Sequence, residues 1–152
     1  ESGGPRGFDA GKKIKGRKRH IVTDTNGFVV GLVVHEANIQ DRDGAVLVLQ
    51  SIRRFYPFLR HVFADGGYAG DKLKQSLKAK GSWTIEVIRR CDNQKGFKVL
   101  PRRWVVERTF AWLGRCRRLA KDWETTIESS TAWTLIAHIR ILIRRLARHC
   151  YV

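Results

Sequence analysis

Methionine is absent from all 152 residues, and proline and cysteine occur three times each. Cys91, Cys116 and Cys150 stand far apart without a C-x-x-C pair, so neither a zinc knuckle nor a disulfide framework is supported. A reducing, cytoplasmic setting suits them. No apolar run approaches the ~18 residues of a spanning helix, and ESGGPRGFDAGKK lacks the apolar core of a signal peptide. A membrane partner is not expected. The chain opens on Glu1 and has no Met anywhere, so a missing upstream piece is expected. Acidic residues are also few: fourteen Asp and Glu face thirty Lys and Arg, a net charge of +16.

That surplus exceeds what solubility requires and points to a polyanion. Nucleic acid fits better than a membrane surface, because the excess runs along the whole chain. Hydrophobic residues make up 43%, enough for a core within a single domain over 1–152.

Residues 1–19 are Gly-rich and basic, with Lys12, Lys13, Lys15, Arg17, Lys18 and Arg19 ahead of the first periodic segment. The runs RHIVTD and GFVVGLVVHE then flank Thr25-Asn26-Gly27, and an Asn-Gly between β-branched runs signals a hairpin. Turn chemistry accounts for Asp24 at its tip. In NIQDRDGAVLVLQSIRRFYP, Asp41 or Asp43 serves as N-cap, and Ala45, Leu49, Ile52 and Tyr56 fall at helical spacing before Pro57. LRHVFAD reads as a strand, AGDKLKQSLKAKG as a helix stopped by Gly81, and WTIEVIRR as another strand. Strand, crossover helix and strand imply a parallel pair, so the spacing predicts a mixed sheet with the hairpin.

From Cys91 to Arg103 the chain is basic and irregular. A helix is expected in RRWVVERTFAWLGRCRRLAKDWE and a last one from about Thr131 to Arg148. Its stripe of Leu135, Ile136, Ile139, Leu142, Ile143 and Leu146 reads as core. Trp104, Trp112 and Trp123 read as packing residues.

Two acids stand out within this frame. Asp65 ends the strand in HVFADGGYAG and precedes Gly66 and Gly67, so a rigid sheet would hold it while a permissive turn exposes it. The same spacing fits an Asx-turn or a cap on the next helix. Glu107 lies four residues after Arg103 on a helix, and the two can pair. Two carboxylates from different elements in basic surroundings also suit a divalent-metal site for phosphoryl transfer on DNA.

The segments GRKRHIVTDTNGFVVGLVVHEANIQDRDGA, FADGGYAG and RRWVVERTFAWLGRCRRLAKDWE resemble the catalytic domain of bacterial insertion-sequence transposases of the DDE type, over nearly the whole chain. The resemblance implies an RNase H-like α/β fold: an antiparallel hairpin plus parallel strands, flanking helices and a C-terminal helical pair. It implies metal-dependent strand cleavage and transfer with Mg²⁺ or Mn²⁺. It also maps the family's middle acid, with its Gly/Tyr turn, onto Asp65, Gly66, Gly67 and Tyr68. Within the family signature Tyr-x2-Arg-x3-Glu-x6-Lys, Arg103 and Glu107 match the centre. Leu100 replaces the Tyr, and Gly114 stands in place of the Lys with Arg115 following.

The family's first acid sits on a strand that would precede Glu1, so this chain is expected to be the C-terminal portion of such an enzyme. By the same resemblance, Lys12, Lys13, Lys15, Arg17, Lys18, Arg19, Arg103 and Arg115 would meet DNA backbone, and Tyr68 beside the acid could touch it. The partners would be double-stranded DNA, as terminal inverted repeats and target, and further copies of the protein in a nucleoid-associated assembly. A catalytically inactive DNA-binding remnant or regulator, and a related RNase H-like nuclease, are the alternatives.

Overall fold

The basic start of the chain contains a strand that the sequence did not announce. Gly7–Asp9 (β1) pairs antiparallel with the beginning of Ile14–Thr23 (β2). Asp9 closes the turn between them: its Oδ1 accepts from the N–H of Gly11 at 2.9 Å and Lys12 at 3.1 Å, while Lys13 takes a left-handed φ of 53°. These contacts come from the computed structural model, which describes residues 4–88 and 100–150. The expected end of the last strand at Arg89 and Arg90, and the irregular stretch 91–99, lie outside the described residues.

The Asn-Gly hairpin forms where expected. β2 pairs antiparallel with Val29–Glu36 (β3), and Asp24 Oδ1 accepts from the N–H of Asn26 and Phe28 at 2.9 and 2.8 Å. Gly27, at φ 87°, supplies the left-handed position. The next helix, Asp41–Ile52 (α1), lays Ala45, Val48, Leu49 and Ile52 against the sheet. Its N-cap is Gln40, not Asp41 or Asp43, which lie in the first turn. A carboxylate there is still favoured by the helix dipole. α1 stops at Ile52, and Tyr56 packs on the core from the turn that follows.

His61–Ala64 (β4), Asp71–Gly81 (α2) and Thr84–Val87 (β5) form the expected strand, helix and strand, with β4 and β5 parallel. Gly81 is the last helical residue, and the left-handed turn falls one residue later on Ser82, at φ 56°. Gly81 is there for space: a Cβ on it would lie 2.2 Å from the Trp83 ring. Leu73 and Leu77 of α2 join Trp83 and the α1 residues in the main core.

The single mixed sheet expected from the sequence is not formed among the described residues. β1-β2-β3 is one sheet and β4-β5 another, with no strand hydrogen-bonded between them. α1 holds the two together, packing on β2, β3 and α2.

Two helices end the described chain. Pro101–Gly114 (α3) is shorter than expected, because the chain leaves the helix at Arg115 and turns through Arg117–Leu119. Ile127–Cys150 (α4) begins earlier than expected. Its buried face is Ser130, Thr134, Ala137 and His138, while Leu135, Ile136, Ile139, Ile143 and Leu146 are exposed. The apolar stripe is therefore not core among the described residues. Thr134 meets the helix geometry by returning its hydroxyl to the Ser130 carbonyl at 2.9 Å. Trp104 and Trp123 are also exposed, the latter under the Lys121 ammonium, whereas Trp112 is partly covered between arginines.

Candidate active site

A cleft of about 140 Å³ opens between β2 and β4. Its walls are strand edges: residues 19–22 on one side and 62–65 on the other. Ala45, Val48 and Leu49 of α1 form one face, and Val106 and Phe110 of α3 form the other. Asp65 and Glu107 both line it.

Asp65 follows β4 directly and caps the 3-10 turn Gly66–Tyr68, its Oδ1 accepting from the Gly67 N–H at 3.0 Å. The turn function foreseen for it is therefore real, and Oδ2 accepts no hydrogen bond among the described residues. Gly67 is boxed in by acids, since a Cβ would lie 3.1 Å from Asp41 Oδ2 and 3.2 Å from Asp65 Oδ1.

Tyr68 points inward. Its hydroxyl meets His20 Nδ1 at 2.7 Å, and the His20 ring stacks on His35 with centroids 4.6 Å apart. Strand alternation puts Lys18, His20 and Val22 on the face of β2 that α1 covers. The His20 ring reaches its place because residue 44 is glycine; a Cβ there would lie 2.4 Å from His20 Nε2. Burial, and then the neighbouring His35, push His20 down to about 4, so it is neutral at pH 7. Burial likewise raises the Tyr68 phenol, aided by Asp41 and Asp65. No sequence signal singled out His20, because a histidine at one alternating strand position looks like any other.

Glu107 is set by the other face of its helix. Thr109, fully buried, shares its hydroxyl between the Gly27 carbonyl at 2.8 Å and the Val105 carbonyl at 3.0 Å, while Arg108 donates to the Asn26 carbonyl at 3.1 Å. The hairpin tip thus fixes the rotation of α3. Arg103, Val106, Glu107 and Phe110, spaced as one helical stripe, then face the cleft. Arg103 Nε donates to Glu107 Oε1 at 2.7 Å, and Arg102 lies 4.2 Å over the Phe63 ring.

The basic residues divide sharply. Lys12, Lys13 and Lys15 are exposed at the β1–β2 end. Arg17 is enclosed, with 1% side-chain exposure; it pairs with Asp122 at 3.3 Å and donates to the carbonyls of Pro5, Glu124 and Thr125. Lys18 pairs with Asp41 at 3.1 Å and Asp9 at 3.3 Å. Burial alone would lower its pKa, but these two carboxylates outweigh burial and raise it. Arg19 reaches Asp122 at 3.8 Å and also lines the cleft. Arg115 stands apart from the cleft, in a groove between α3 and α4.

The donors suit a hard cation only in part. No group of three or more His, Cys, Asp or Glu positioned for a metal occurs among the described residues. Two exposed carboxylates on one cleft nevertheless match how magnesium is commonly held, by one or two protein acids with the substrate's phosphates completing the shell.

Two carboxylates from separate elements on one cleft of a strongly basic α/β domain are the arrangement expected of a protein that processes phosphodiesters. The chain belongs to the transposase DDE domain family, whose pattern it matches over residues 1–142. It is also 35% identical, over 111 residues, to a candidate transposase for insertion sequence element IS402 from Burkholderia cepacia, an alignment covering 68% of this chain and 52% of that protein. The chain thus spans about half the length of this relative. No solved structure matches the chain significantly.

Proposed function

We propose that this chain is the C-terminal portion of the catalytic domain of a DDE transposase that cuts and joins double-stranded DNA at the terminal repeats of an insertion sequence. The observation that carries this reading is the shared cleft of Asp65 and Glu107. The two acids would hold the divalent metal, Mg²⁺ or Mn²⁺. When bound, that ion neutralises phosphate charge and favours in-line displacement at phosphorus. Arg103 fixes one oxygen of Glu107. The Gly67 N–H fixes one oxygen of Asp65. Lys12, Lys13 and Lys15 hold backbone phosphates, while Arg17 and Lys18 serve mainly to lock β2 in place.

A first strand carrying the third acid fills the slot between β2 and β4, completing an RNase H-like sheet. Backbone hydrogen bonding supports this. The Gly16 carbonyl accepts from Ala37 N–H and Asp24 N–H donates to Phe28, so alternation turns the amides of Arg19, Ile21 and Thr23 away from β3. Arg60 and Ala64 bond toward β5, which turns those of His61 and Phe63 the opposite way. Two strand edges without a strand partner among the described residues thus border one partly apolar cleft, and such edges are favourable sites for another strand. Active protein is expected to assemble as a homo-oligomer on DNA in the bacterial cytoplasm. No described helix is long and apolar enough to cross a membrane.

The test uses a longer protein carrying an upstream strand. Asp65→Asn and Glu107→Gln should each abolish Mg²⁺-dependent strand cleavage while DNA affinity stays nearly unchanged, because the cations that hold the backbone remain. Normal cleavage by either variant would sink the assignment. Metal-independent DNA binding without cleavage by the intact longer protein would favour a regulator instead.

A further inference from the structure

On the side of α3 away from the cleft, a second concave surface runs between α3 and α4. Arg115, Arg140, Arg144, Arg145 and Arg148 line it with Trp112, and no acidic residue does among the described residues. It shares no lining residue with the Asp65–Glu107 cleft. Arg115, Arg140, Arg144 and Arg148 are exposed and have no ion-pair partner among the described residues. The contrast with β2, where Arg17 and Lys18 are matched to carboxylates, is sharp.

Arg140, Arg144 and Arg148 follow at four-residue intervals. Like charges at that spacing repel and destabilise a helix. The C-terminal dipole of α4 offsets this for the last turn only, and Arg140 and Arg144 lie before it. At 1.5 Å per residue the three guanidinium groups start ~6 Å apart along the axis, comparable to the separation of successive phosphates on one nucleic-acid strand. Behind them the floor is fixed. The Arg145 guanidinium lies between the Phe28 and Trp112 rings, 4.6 Å from each centroid, and donates to the Asn26 carbonyl. Arg108 covers Trp112 at 4.7 Å. An ordered base carrying a row of arginines with unused donors suits a regular polyanion better than an irregular acidic peptide.

We propose that the α3–α4 groove is a second DNA-backbone track, separate from the catalytic cleft, with Arg115, Arg140, Arg144 and Arg148 as its phosphate contacts. This rests on the reading of the chain as a DNA-processing domain, but it is tested without cleavage. The 152-residue chain is titrated onto a duplex of arbitrary sequence, without metal, at several salt concentrations. The comparison is between the unchanged chain, the triple variant Arg140→Gln, Arg144→Gln, Arg148→Gln, and the triple variant Lys12→Ala, Lys13→Ala, Lys15→Ala. Glutamine keeps helix propensity, and circular dichroism checks that each variant is folded.

The arginine variant should bind at least tenfold more weakly at ~0.1 M salt. Its slope of log affinity against log salt should be shallower by roughly 2–3, about 0.9 for each phosphate no longer neutralised. An unchanged affinity and slope, with the lysine variant alone impaired, would overturn the groove while leaving the proposed function standing. Absence of binding by the unchanged chain would overturn both. A variant that keeps duplex binding but loses binding to polyglutamate would show the groove to be a protein-docking surface and overturn the proposal.

Discussion

The hydroxyl of Tyr68 lies 2.7 Å from His20 Nδ1, tying the turn that carries Asp65 to the middle of β2. Asp65 is therefore held from both ends: by β4 before it and by a half-buried tyrosine three residues after it. Tyr68 supports this turn through its hydroxyl and also lines the cleft. Tyr68→Phe keeps the ring but leaves a buried imidazole nitrogen without its partner. It should destabilise the protein by about 1–3 kcal/mol in denaturant titration. In the longer, active protein it should also lower the cleavage rate without changing DNA affinity.

Acid should weaken the fold through the same residue. His20 has an ordinary value of 6.5 and is depressed to about 4 by burial and by His35, with Lys18 and Lys12 acting the same way and Asp41 opposing. Above about pH 6.5 neither folded nor unfolded His20 is charged, so its contribution is constant. Between about pH 6.5 and 4 the unfolded chain takes up a proton that the folded one refuses, and stability falls by on the order of 3 kcal/mol. His138, also lowered mainly by burial, acts in the same direction. His20→Gln should flatten much of this acid limb in unfolding measured across pH, and an unchanged limb would show that other groups dominate.

The hairpin tip and α3 are coupled through one hydroxyl. Thr109→Val removes the donor to the Gly27 carbonyl while preserving shape, and should cost about 1–3 kcal/mol. Gly27→Ala should also destabilise, because φ is 87° and the added Cβ would lie 2.8 Å from Thr109 Oγ1. Thermal unfolding of the two single variants and the double variant gives the coupling. Strict additivity would contradict a shared contact.

Arg17 and its lysine neighbours should separate cleanly. Arg17→Ala removes the donor to three carbonyls and leaves Asp122 with only the longer ion pair to Arg19, and should destabilise by about 3 kcal/mol. Lys12→Ala, Lys13→Ala and Lys15→Ala should hardly change stability but should weaken DNA binding and its salt dependence. A stable Arg17→Ala protein with impaired DNA binding would instead place Arg17 on the DNA.

Breaking the Arg103–Glu107 pair should matter to chemistry more than to folding. The pair is exposed, so Arg103→Ala should cost at most about 0.5 kcal/mol. Cleavage by the longer protein should still drop, since Glu107 loses its orienting partner.

Local patterns were legible in the sequence wherever a short-range rule governs. Asn26-Gly27 between β-branched runs dictated the hairpin, the spacing of Ala45, Leu49 and Ile52 dictated α1, and the succession of β4, α2 and β5 dictated a parallel pair. Asp65 and Glu107 were candidates from residue type and position alone. Only the tertiary structure decided that they line one cleft, because this depends on the rotation of α3, set by Thr109 and Arg108 on a hairpin tip more than eighty residues earlier. It also decided which cations are spent. Arg17 and Lys18 look alike in GRKRH, yet strand alternation sends one to Asp122 and the other to Asp41 and Asp9. The apolar stripe of α4 misled for a related reason: periodicity shows that a helix has two faces, but which face meets the rest of the protein is settled by what packs there. Here that contact is made by Ser130, Thr134, Ala137 and His138, and by the His138 imidazole accepting from the Val29 N–H at 3.1 Å.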